Sequence, residues 1–130
     1  MTRRTYSQYC GLARALDLVG ERWTLLIVRD LAVDLGWPVV VAARPGLGTI
    51  NHSLLTVEAA RAAGLDVRAV VMTPWPDPPG VLERSNLQAI ERLGAVAVAT
   101  LPMVGVDVAQ LARAGATLPY ARWLRGRESP

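Results

Sequence analysis

The first segment able to do chemistry is Arg44-Pro45-Gly46-Leu47-Gly48-Thr49-Ile50-Asn51, a G-x-G-x-x-N arrangement directly after an apolar run. Glycines let backbone approach a ligand closely, and a helix starting beyond them offers free N–H groups to an anion. A tight strand-to-helix turn with Asn51 as the helix N-cap accounts for the same residues. The second segment is Thr73-Pro74-Trp75-Pro76-Asp77-Pro78-Pro79-Gly80, stiffened by four prolines. Its indole suits the wall of a flat base, and equally suits packing on its own domain. The third is Leu101-Pro102-Met103-Val104-Gly105. His52 is the only histidine. It falls in the first turn of an expected helix, reads as structural, and makes no metal site by itself. Cys10, the single cysteine, excludes an internal disulfide and a cysteine-rich metal centre, and reads as a small apolar residue. All 14 cationic side chains are arginine. Without lysine there is no GxxxxGK[ST] phosphate loop, no Schiff-base lysine and no lysine general base.

These segments need a frame, and the pattern supplies one. Pro38–Ala43, Val67–Met72 and Val96–Thr100 are short apolar runs rich in β-branched residues, as expected of strands covered on both faces. Helical patterns lie between them: Asn51 to about Ala63 with Gly64 as the stop, and Val81–Leu93 with Leu82, Leu87, Ile90 and Leu93 inward. Asp107 is placed to cap a helix reaching about Ala114, and Pro119–Leu124 suits a last short one. Strands just under ~30 residues apart imply βαβ units with parallel strands and right-handed crossovers. The fold expected is α/β, a partial three-layer parallel sheet of the P-loop NTPase-like kind, preceded by two N-terminal helices. The first of these carries the stripe Leu12, Ala15, Leu16, Val19 and stops near Gly20; the second covers about Glu21–Leu31. In a parallel sheet the loops after the strands share one edge, where ligands bind. All three chemistry-bearing segments fall there.

Composition narrows the classes further. One domain fits 130 residues, and 52% apolar content excludes a disordered chain. No uncharged apolar run reaches the ~18–20 residues of a bilayer span, and no signal peptide opens the chain. The cytoplasm is the expected compartment. The net charge of +3 is small and scattered, without the basic stripe that tracks a phosphate backbone.

From Leu31 to about Trp123 the chain carries a family resemblance. GLGTINHSLLTVEAARAAGL, VVMTPWPDPPGVLERSN and VAVATLP are similar to the C-terminal half of ATP-dependent dethiobiotin synthetase in its actinobacterial form. That family uses diaminopelargonate, carbon dioxide, ATP and magnesium to close a ureido ring in biotin biosynthesis. The resemblance implies that Leu47, Gly48 and Asn51 contact the diamine across a homodimer interface built on the helix after Asn51. It also implies that Thr73 and Pro74 flank the nucleotide base, with Pro102, Met103 and Val104 as the opposite wall. The family's phosphate loop, magnesium ligands and carbamate-stabilising lysine lie in its N-terminal half and find no match here. No catalytic or metal-ligating residue is therefore assigned. Thr73 stands where some members read adenine with Asn, and Ala109 where some use Glu, so base contacts are expected from backbone.

Residues 3–31, with Cys10 and then ALDLVGERWTLLIVRDL, resemble the opening helices of HxlR-type winged-helix regulators. The expected organisation is a helical segment over 1–31 followed by a synthetase-like portion over 32–130. Three functions follow: a synthetase-related chain inactive alone, a DNA-binding regulator fragment, or a non-catalytic fragment exposing an apolar sheet edge. DNA is the weaker partner, because the groove-reading helix and wing have no counterpart after Leu31.

Overall fold

The structure, a computed structural model, describes residues 29–125. Most of the regulator-like segment lies outside the described residues, along with the first N-terminal helix and most of the second. Residues 29–34 are helical and lead by a turn into the sheet. The elements that follow are β1 (Pro38–Ala43), α1 (Thr49–Ala62), β2 (Asp66–Trp75), α2 (Val81–Gly94), β3 (Ala97–Pro102), α3 (Val108–Ala116) and α4 (Tyr120–Leu124). The strands are parallel, in the order β1-β2-β3. This is the expected partial α/β sheet.

Crossovers of one hand put both intervening helices on one face. There Val57 of α1 and Ile90 of α2 meet Val67, Val70 and Met72 of β2, with Val96 below. Central β2 is the most deeply buried element, because it alone has strand neighbours on both sides. On the other face Trp123 of α4 covers Ala69 and Val71, joined by Leu118. That cover is partial: toward β1, Val40 remains 41% exposed among the described residues.

A bulge reconciles this packing with strand alternation. Val39 pairs with Val67 but Val40 with Ala69, so Arg68 is an extra residue in β2. The insertion inverts the parity and lets Val67 share a face with Val70 and Met72. Arg68 folds back onto Asp66, Nη2 to Oδ2 at 2.6 Å.

The helix ends show where local chemistry suffices. Asp107 accepts from the backbone N–H of Gln110 at 2.9 Å and caps α3, as expected. Gly64, at φ +83°, closes α1 with Leu65 N–H donating to the Ala60 carbonyl. Asn51 is not the cap of α1. The helix starts two residues earlier, at Thr49, on a left-handed Gly48, and no side chain caps it.

The inward face of α2 follows the apolar periodicity only in part: Ile90 is buried and Leu87 packs against the core, as expected. Its buried residues are Asn86, Ile90 and Gly94, while Leu82 and Leu93 are 44% and 61% exposed. At Gly94 a Cβ would stand 3.0 Å from Leu54 Cδ2 and 3.1 Å from Val96 Cγ1, so α1 and α2 approach closely there and a side chain would make these neighbours shift. Arg61 of α1 reaches across and donates to the Gly94 and Ala95 carbonyls at 2.7 and 3.1 Å, neutralising the C-terminal end of α2. Ala95 itself sits at φ +42°, a left-handed conformation that costs an L-residue about 1 kcal/mol. An Ala95→Gly variant is therefore expected to gain about 0.5–1 kcal/mol in urea unfolding. An unchanged or lower midpoint would count against that strain.

Candidate functional site

The sheet register sets the site. Ala43 pairs with Met72, and Met72 with Thr100, so the three strands reach their C-terminal ends side by side. The segments after them share one edge, as the parallel topology requires.

After β1 the chain turns through Pro45 and Gly46 and enters α1. Gly48, at φ +83°, makes the turn possible, because only a residue without Cβ adopts that angle freely. Leu47 is thrust out of the turn and is 93% exposed. Gly48 and Asn51 are also exposed, so the three residues expected at a diamine lie outward on the turn and the first turn of α1. Asn86 of α2 holds the turn from beneath. Its Nδ2 donates to the Pro45 carbonyl at 2.9 Å and to the Gly46 carbonyl at 3.1 Å.

Beside this turn lies a cleft of about 390 Å³ between the end of β1 and one stripe of α1. Thr49, His52, Ser53 and Thr56 line it at i, i+3, i+4 and i+7, with Arg44 and Leu47 at its mouth. Thr49 Oγ1 and Ser53 Oγ are buried and lie 3.3 Å apart. Thr56 Oγ1 donates to the His52 carbonyl at 2.7 Å. His52, read as structural, thus also lines the cleft wall. The polar spacing T-x-x-H-S-x-x-T was the available signal for this stripe. Asn86 had no such signal, because its partners are 40 and 41 residues away in the chain.

On the other side of the edge, β2 extends to Trp75, beyond the Met72 end expected from its apolar run. Thr73 and Pro74 are therefore strand residues, the first half-buried and the second exposed. Trp75 packs against the core cluster around Met72 and Ile90. Of the two roles open to it, the structure supports packing. Trp75 pairs with Pro102, which brings Pro102, Met103 and Val104 alongside the end of β2. Met103 is 77% exposed and Val104 half-buried. Together with Pro74 they make an apolar lip at this end of the sheet edge. Gln110 steadies the loop beyond it, accepting from the Gly105 N–H at 3.2 Å.

The donor set does not extend to a metal: no group of three His, Cys, Asp or Glu side chains converges among the described residues. Among those residues, also, no helix is long and apolar enough to cross a membrane.

Comparison with known proteins bears on this arrangement. Residues 22–106 match the family model of an AAA domain. The ATP-dependent dethiobiotin synthetase BioD of Mycobacterium avium (strain 104) is 52% identical over 68 residues, covering 52% of this chain and 30% of that protein. The protein of the same name from Mycolicibacterium smegmatis is 39% identical over 107 residues, 71% of this chain and 47% of its own length. That of Mycobacterium sp. (strain JLS) is 35% identical over 138 residues, 94% of this chain and 60% of its own. The chain thus spans 30% to 60% of the length of these relatives. With the family match running from residue 22 to the end of β3 and beyond, the chain belongs to the AAA domain family and resembles the ATP-dependent dethiobiotin synthetases.

Proposed function

We propose that this chain carries the nucleoside- and diamine-binding side of a dethiobiotin synthetase, acting in biotin biosynthesis in the cytoplasm. One observation carries the reading: the Leu47–Asn51 turn and the apolar lip of Pro74, Pro102, Met103 and Val104 occupy the same edge of one parallel sheet. Diaminopelargonate would lie against Leu47, Gly48 and Asn51. The adenine of ATP would lie between Thr73–Pro74 and Pro102–Val104, read by backbone groups because Thr73 offers only a hydroxyl. A homodimer through α1 fits the exposure of Leu47 and Leu55 at 93% and 56%, since these leucines extend the outward face of the helix that carries Asn51. Magnesium finds no acidic cluster among the described residues.

For residues 1–31 we propose a distinct segment of HxlR-regulator type. Cys10 and the run ALDLVGERWTLLIVRDL support it. A DNA-binding role for that segment is the second reading.

The test is amide chemical-shift mapping of the full chain with two ligands added separately. Adenosine is expected to move Thr73, Met103 and Val104. Diaminopelargonate is expected to move Leu47, Gly48 and Asn51. Shifts confined to other surfaces, or none with either ligand at millimolar concentration, would refute the assignment.

A further inference from the structure

We infer that Asn86 is the positioning residue of the Arg44–Gly48 turn, holding the diamine-facing loop in register with the helix that leads away from the nucleotide-facing strand. The inference rests on the functional reading above only for the identity of the ligand; the contact itself is independent of it. Asn86 is 5% exposed, unusual for a neutral amide unless its hydrogen bonds are made. They are made to two consecutive carbonyls, those of Pro45 and Gly46. The Gly46 oxygen also accepts the Thr49 N–H at 3.3 Å, so its two lone pairs serve both the side chain and the first turn of α1.

The turn has little else to hold it. Gly48 caps α1 with backbone only, the His52 N–H reaches the Gly48 carbonyl at a long 3.3 Å, and Leu47 faces solvent. Among the described residues, no other side chain hydrogen-bonds to residues 44–48. Asparagine suits this task because its NH₂ brings two donors on a short, stiff stem. An ionised aspartate of the same shape brings none and would set a carboxylate against two carbonyl oxygens. Asn86 belongs to α2, whose first residue follows the Thr73–Gly80 segment, so one amide links the two sides of the proposed site.

Hydrogen exchange on the full chain tests this, with Asn86→Asp as the main variant and Asn86→Ala as the second. The Thr49 and His52 amides are expected to exchange about tenfold faster in both variants. The Val70, Val71 and Met72 amides should keep their protection. Diaminopelargonate affinity should fall about tenfold while adenosine affinity holds, a split that general loosening would not produce. Unchanged exchange at Thr49 and His52 in a folded variant would overturn the inference. Faster exchange there, with no diamine binding by the unmodified chain, would uphold the positioning role and refute the functional reading instead. If both variants unfold, the Asn86 side-chain amide of the unmodified chain reads the same contact. Exchange about tenfold slower than at exposed Gln88 supports it, and equal exchange overturns it.

Discussion

Replacing Ile90 with alanine is expected to cost about 3 kcal/mol and to lower the melting temperature by about 15 °C. Ile90 has no solvent exposure and is among the largest fully buried side chains of the described residues. It stands where α2 meets Val57 of α1 and the central strand residues Val70 and Met72. Removing its branched tip leaves a cavity bounded by two helices and a sheet, none of which can collapse without breaking its other contacts. The contrasting variant is Leu93→Ala on the same helix. Leu93 is 61% exposed, so its loss should cost under ~1 kcal/mol. Urea unfolding of the pair tests whether Leu93, expected inward along with Ile90, lies off the buried face of α2. A Leu93→Ala cost equal to that of Ile90→Ala would mean that α2 is rotated relative to this structure.

The second large effect concerns phosphate. Adenosine, ADP and ATP are expected to bind the 130-residue chain with affinities within about threefold of one another, and no dethiobiotin is expected from diaminopelargonate and ATP. Each charge-assisted hydrogen bond to a phosphate contributes about 1.5–3 kcal/mol, so even two such contacts would separate ATP from adenosine by more than 100-fold. The chain has no lysine, and the lip proposed to face the nucleotide is apolar at Pro102, Met103 and Val104. Phosphoryl transfer depends on positioning and on neutralising the charge of the transferred group. Calorimetric titration with the three nucleotides, and a product assay on the same sample, check this together. A hundredfold preference for ATP, or measurable product, would show a phosphate grip that these residues do not provide.

Much of the frame was legible from residue order. The β-branched runs at Val39–Val41 and Val67–Val71 are strands, Asp107 caps its helix and Gly64 ends another, because each signal acts over a few residues. The convergence of the three loops followed from parallel topology alone. Other features were read differently. Asn51 suited a cap, but a left-handed Gly48 let α1 begin earlier. Trp75 suited a ligand wall and packing on its own domain equally, and pairing with Pro102 carried β2 through it and set its indole on the core. The stripe Thr49, His52, Ser53, Thr56 was visible as spacing, but a helix surface becomes a cleft wall only where a strand end stands opposite.

By itself, then, the sequence determined the element order, the parallel sheet and the edge on which ligands would gather. Periodicity, turn residues and crossover handedness are local or topological rules, and they need no partner coordinates. Only the tertiary structure decided where on α2 the buried face is centred. Apolar periodicity pointed to Leu82, Leu87, Ile90 and Leu93; Ile90 and Leu87 do pack on the core, but Asn86 and Gly94 are buried where Leu82 and Leu93 are not. Asn86 is drawn in because two carbonyls from 40 and 41 residues earlier satisfy its amide, and Gly94 because α1 brings the tip of Leu54 close against it. Such burial depends on atoms brought close by the fold, so no pattern along the chain encodes it.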